Sequence, residues 1–165
     1  MKELFSEKFK SVREELLSLE KEGIYVFHGT SDKIEMLAPK QPFNFNKQTK
    51  NLEPHGEPAI CASQYSDVAI FMALFDSKNF PDIHFSKSFG LDENNKLTFY
   101  VEKIALDQVS DKTGVVMVLD KGEFKEFDEM EYRATLEIKP KMVVSVSALD
   151  LPPNIGLIDK DFNKL

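Results

Sequence analysis

The hydrophobic positions change period along the chain. Phe5, Phe9, Val12, Leu16 and Leu19 recur at spacings of three and four and share one helical face, so residues 3–22 read as an amphipathic packing helix stopped by Gly23. The apolar run Ile24–Phe27 is short, aromatic and β-branched, and reads as a buried strand ending in His28-Gly29-Thr30. Ile34, Met36 and Leu37 form a brief apolar segment before Pro39. Residues 39–58 then read as a long loop rich in Pro and Asn, with Phe43 and Phe45 as its anchors. Ala59–Ala62 is a second buried strand.

Ser63-Gln64-Tyr65-Ser66-Asp67 opens a helix, with Ser63 or Ser66 as its cap. Val68–Phe75 is apolar nearly all round, which predicts a buried helix. Residues 79–90 read as a polar connection spotted with aromatics, and from there the pattern is all strand. Lys96–Ile104 alternates, Asp111–Gly114 is a turn, Val115–Leu119 is a buried strand, Leu136 and Ile138 end another, and Met142–Val146 is the last strong one. Pro152-Pro153 opens a tail expected on the surface.

One helix, a second buried helix and many short strands in 165 residues suit a single α+β domain. Residues 1–23 form its N-terminal helix, 24–150 its core and 151–165 its tail. Fourteen Phe and no Trp predict a phenylalanine-rich core. A net charge of −7 disfavours nucleic acid and anionic membrane as partners, since both are bound through excess Lys and Arg. The single cysteine, Cys61, excludes a disulfide framework within the chain. The start of the chain has no signal-type apolar core and no run spans a bilayer, so the expected location is the cytoplasm.

Three stretches carry candidate chemistry. His28-Gly29-Thr30 joins a histidine, a glycine that bares backbone and a hydroxyl at a strand end. Ala62-Ser63 runs from the second strand into the buried helix. Glu129-Met130-Glu131-Tyr132 places two glutamates on the same side of an extended segment. Read singly, His28 is an ordinary core histidine and the glutamates an ordinary acidic turn. Cys61, Ala69, Met72 and Ala73 are expected to be buried, with the thiol inert. His28, His55 and His84 lack metal-ligand spacing, so no metal is expected.

In combination and order, these stretches resemble the ADP-ribosyltransferase superfamily over about residues 24–146. The likeness is closer to the His-Tyr-Glu branch, which includes poly(ADP-ribose) polymerases and diphtheria toxin. The segment Val115–Val146 also resembles small bacterial proteins with the same His-Gly opening. Glu129-Met130-Glu131 resembles the Glu-x-Glu motif of the arginine-modifying branch. The resemblance implies a split β-sandwich of two mixed sheets with a cleft between them. It implies NAD as substrate, cleaved at the nicotinamide–ribose bond, with an unknown acceptor: a protein, a small molecule or water.

By the same resemblance, His28 binds a ribose 2′-hydroxyl, the Gly29 backbone the nicotinamide amide, and Thr30 lies near the adenosine ribose. Glu131 binds the nicotinamide-ribose 2′-hydroxyl, and Glu129 orients or deprotonates the acceptor. Ser63 follows the second strand at the cleft. Ile60 stands where the family has a tyrosine, Phe71 where it has a ring-stacking tyrosine, and Tyr65 is the substitute available from the loop. Ile60 therefore also fits an inactive nucleotide- or ADP-ribose-binding module. A protein-interaction domain using the acidic surface is the third expectation.

Overall fold

The structure is a computed structural model and describes residues 11–158. Phe5 and Phe9, read into the first helix, lie outside the described residues. Helix α1 (Val12–Lys21) starts at Ser11, whose hydroxyl accepts the Glu14 amide at 3.2 Å. Leu16 and Leu19 bury its apolar stripe.

The chain then forms strands β1 (Tyr25–Thr30), β2 (Phe43–Asn46), β3 (Asn51–Pro54) and β4 (Ile60–Ala62), followed by helix α2 (Ser66–Leu74). Strands β5 (Lys87–Leu91) and β6 (Leu97–Val101) precede the short helix α3 (Lys103–Leu106). The remaining strands are β7 (Thr113–Asp120), β8 (Lys125–Glu126), β9 (Tyr132–Ala134), β10 (Met142–Ser147) and β11 (Gly156–Leu157). This is a mixed α+β structure of several small sheets and few helices. None of the described helices is long and apolar enough to cross a membrane.

The central sheet has the order β1-β7-β10, all antiparallel. A second antiparallel sheet, β4-β9-β8, joins it at a single point. There Phe27 and Ser63 exchange backbone hydrogen bonds of 2.7 and 2.9 Å. The third sheet, β11-β6-β5, is the one with a parallel pair, and β2-β3 is a separate hairpin. The expectation of two mixed sheets is thus corrected to four small ones among the described residues.

Alternation along β1 sends successive side chains to opposite faces of the central sheet. Phe27 and Gly29 face α2, and with Val116, Val118, Val144 and Val146 they form one core. Val26 faces the other way and packs with Met117, Leu119, Ile60, Ala62 and Tyr132 in a second core.

Helix α2 sits very close to the central sheet. A side-chain carbon on Gly29 would lie 1.8 Å from the Ala69 carbonyl oxygen, and one on Gly114 would lie 2.9 Å from the Ala73 side chain. Two glycines on the sheet and two alanines one turn apart on the helix make this seam possible. The cap of α2 comes from α1, not from Ser63 or Ser66: Glu20 accepts both the Ser66 amide, at 2.6 Å, and the Ser66 hydroxyl, at 3.1 Å. Arg13 forks onto Asp67 with two bonds of 2.8 Å. At the other end, the Lys87 ammonium donates to the Phe75 carbonyl at 2.6 Å.

Several stretches differ from the sequence reading. Residues 39–58 hold the β2–β3 hairpin, in which Phe43 and Phe45 are exposed and anchor nothing. The connection 79–90 contains most of β5. The all-strand second half is interrupted by α3. The tail returns to pair with β6, and Pro152 is buried.

Candidate functional site

Past the Phe27–Ser63 bridge, β4 turns away from β1. Phe27 directs its N–H and C=O to Ser63, and alternation along a strand sends those of Gly29 toward the same side. They project into the split between the two sheets. A donor and an acceptor side by side on one residue match a primary carboxamide, which needs one of each.

The split opens into a cavity of about 400 Å³, within the range of small-molecule sites. Its walls combine β1 (His28, Gly29), β4 with Ser63, the α2 face of Ala69 and Met72, Phe89 of β5, and Asp128, Met130 and Glu131 before β9. His28 and Glu131 come from distant parts of the chain and line the same cavity.

The His28 Nδ1 donates to the Cys61 carbonyl at 2.7 Å, so its ring spans the gap that opens between β1 and β4. A carbonyl only accepts, so Nδ1 carries the proton, and the neutral ring keeps Nε2 as an acceptor. Burial holds the His28 pKa below its ordinary value, partly opposed by the Cys61 carbonyl, and Lys40 lowers it further. A neutral His28 with an acceptor nitrogen can take a hydroxyl proton in a hydrogen bond.

Glu131 is held from behind. Arg133 donates from Nε to Glu131 Oε2 at 2.7 Å, and the side chains are 11% and 30% exposed, respectively. Cys61 is paired with Arg133 across β4 and β9, so its side chain shares that face. Burial, with the Glu131 carboxylate adding to it, pushes the Cys61 thiol up to about 11. The thiol is therefore protonated at neutral pH and a poor nucleophile. Cys61 and Met72 were expected to be buried; both are half-buried and line the cavity, while Ala69 and Ala73 are buried as expected.

The other named residues lie elsewhere. Phe71 is 0% exposed and packs its ring on Phe75 and Phe99 at 5.0 and 5.1 Å, so its stacking role is corrected to a core role. Thr30 lines a neighbouring cavity on the far side of His28, where its Oγ1 accepts the Asp32 amide at 3.2 Å. Tyr65 packs partly buried against the first core and does not line the cavity; its amide donates to Ser63 Oγ at 3.1 Å. Glu129 is exposed and outside the cavity wall, and its carbonyl accepts from Gln64 at 3.4 Å. The 40–57 segment borders the neighbouring cavity through Lys40, Gln41 and Pro42, not the main one.

Phe89, Met130, Asp128 and Arg133 carry no sequence signal as site residues. Phe89 supplies the aromatic face at the cavity, 37% exposed, from a strand that the sequence pattern does not reveal. Among the described residues, no group of three or more His, Cys, Asp or Glu gathers as metal ligands. No family model matches the chain, and neither does any curated protein or solved structure.

Proposed function

We propose that the cavity binds NAD and that the protein cleaves its nicotinamide–ribose bond, passing the ADP-ribosyl group to an acceptor or to water, on an ADP-ribosyltransferase-like split sandwich. The observation that carries this reading is the meeting of three groups in one cavity: the Gly29 amide pair, the His28 ring and the Glu131 carboxylate. Gly29 suits the carboxamide of nicotinamide. His28 suits a ribose hydroxyl. Phe89 offers a ring face for the pyridinium.

The chemistry follows from charge. Departure of nicotinamide takes the bonding electron pair onto its ring nitrogen and leaves a cationic, oxocarbenium-like sugar. A carboxylate fixed near that sugar favours the transition state over the ground state, in which the sugar is uncharged. Glu131 occupies that role, held by Arg133. The nucleophile then adds to the sugar carbon and loses its proton.

A second reading is NAD or ADP-ribose binding without cleavage. The Glu131–Arg133 ion pair favours it, because the guanidinium offsets part of the negative charge that the cationic sugar needs. Ile60, buried where the resemblance calls for a tyrosine, points the same way. One experiment separates the two: incubation with NAD, following free nicotinamide and bound nucleotide together. Release supports the enzyme, and saturable binding without release supports the module. Absence of both overturns the NAD reading.

A further inference from the structure

We infer that Arg133 is a positioning residue that ties the orientation of the Glu131 carboxylate to the base of the β2–β3 hairpin. The inference rests on the NAD reading for its catalytic consequence, but the tie itself is a property of the free protein.

Arg133 sits in the middle strand of its sheet, paired with Cys61 on one side and Lys125 on the other. Its guanidinium has three engagements. Nε donates to Glu131 at 2.7 Å. Nη1 donates to the His55 carbonyl at 3.0 Å. The central carbon lies 3.5 Å above the centroid of the Phe127 ring, a stacked cation–π contact. Donors on one rigid planar fork cannot reorient independently, so moving one acceptor moves the plane seen by the other.

The hairpin side is built to fit. His55 also places its ring edge-on to Phe127, with centroids 5.5 Å apart. Gly56 has φ of 80°, and a side-chain carbon there would lie 2.7 Å from Nη1. Glycine therefore serves both the backbone turn and the space for the guanidinium. The hairpin base is closed around this point: the His55 amide donates to the Pro42 carbonyl at 2.9 Å, and Gln41 Nε2 donates to the Gly56 carbonyl at 2.8 Å. A displacement of the hairpin is thus transmitted to Glu131 through a single side chain.

The test uses the whole protein and two readouts. Without NAD, limited trypsin digestion at Lys47 and Lys50, in the hairpin turn, reports the hold on the hairpin. Arg133→Gln should speed that cut several-fold, and Glu131→Gln should speed it less, by freeing one arm of the fork. With NAD, Arg133→Gln should lower kcat for nicotinamide release on the order of 10- to 100-fold with little change in KM, the cost of a misplaced group. Arg133→Lys should not restore the rate, because an ammonium cannot hold both acceptors while lying on Phe127.

Phe127→Leu keeps every charge and changes a partly exposed ring, so it leaves the fold intact; it should lower kcat and speed the cut in the same direction. Wild-type cutting rates in both Arg133→Gln and Phe127→Leu overturn the tie whether or not NAD is a substrate. Full activity in Arg133→Lys overturns the positioning role in favour of charge alone. A wild-type protein that releases no nicotinamide overturns the enzyme reading, while faster cutting in the variants still supports the tie.

Discussion

On one face of the central sheet, Gly29 and Gly114 draw α2 into backbone contact, and behind that seam lies the larger apolar core with Phe27, Phe71, Val116 and Val118. On the other, the β4-β9-β8 sheet meets the central one at Phe27–Ser63 and then leaves it, so apolar packing by Val26, Met117 and Leu119 gives way to His28, Cys61 and Glu131. His28 and Gly29 are neighbours in sequence and face these two environments separately. A motif that reads as one recognition element is therefore two: a side chain for the split, and a missing side chain for the helix. The Gly29 backbone still serves the split, while its lack of a side chain serves the core.

The largest effect that would break this comparison is functional. If the NAD reading holds, Glu131→Gln should reduce nicotinamide release ~10²–10³-fold. Urea denaturation of the same variant should give stability within about 1 kcal/mol of wild type, since Glu131 is a partly exposed residue of the open face. Loss of stability matching the loss of rate would mean that this face is structural too.

Gly29→Ala tests the sealed face. A methyl group 1.8 Å from the Ala69 carbonyl cannot be accommodated without lifting α2. The expected destabilisation is ~3 kcal/mol, at the upper end for overpacking, with Gly114→Ala smaller because its tight contact is 2.9 Å. A neutral outcome in chemical denaturation would show that the seam is loose.

A smaller effect concerns acid. The folded pKa of His28 lies below its unfolded value because of burial. Between the two values the unfolded chain binds more protons, so stability rises with pH there. The contribution of neutral His28 is complete above about pH 6.5 and is lost as the pH falls through the folded value. His28→Gln should flatten this part of a stability–pH curve. An unchanged slope would mean that the ring is solvated, not spanning the split.

The smallest concerns Cys61. With its thiol pushed up to about 11, alkylation at pH 8 should be slow. Glu131→Gln removes a negative neighbour, favours the thiolate and should quicken the reaction at fixed pH. No change would separate Cys61 from Glu131.

Legibility in the sequence followed the same division. The apolar run Val68–Leu74 and the β-branched run of β7 were readable because a nearly fully buried element has no polar face to confuse the pattern. Strand β10 was readable from its valines, although it is only half-buried. The β2–β3 hairpin was not, because Phe43-Asn44-Phe45-Asn46 alternates among prolines and its apolar side is exposed. His28 and Glu131 were legible as a motif pair. Phe89 and Arg133 were not, since what gives each a place is a contact with segments far away in the chain. Phe71 was misassigned for a related reason: one aromatic residue in an all-apolar helix does not show which side faces a cavity.

The single bridge between Phe27 and Ser63 also bears on strand pairing between molecules. A sheet that stops pairing exposes a raw edge, and raw edges recruit strands from other molecules. Past the bridge the edge runs from His28 to Thr30, and the His28 ring crosses it to reach the Cys61 carbonyl. Ser31 beyond it is pinned by Asp76, which accepts its amide at 2.9 Å and its hydroxyl at 2.7 Å. The opening is long enough to hold one amide and too short to template a strand, so this stretch of β1 does not invite a strand from another molecule.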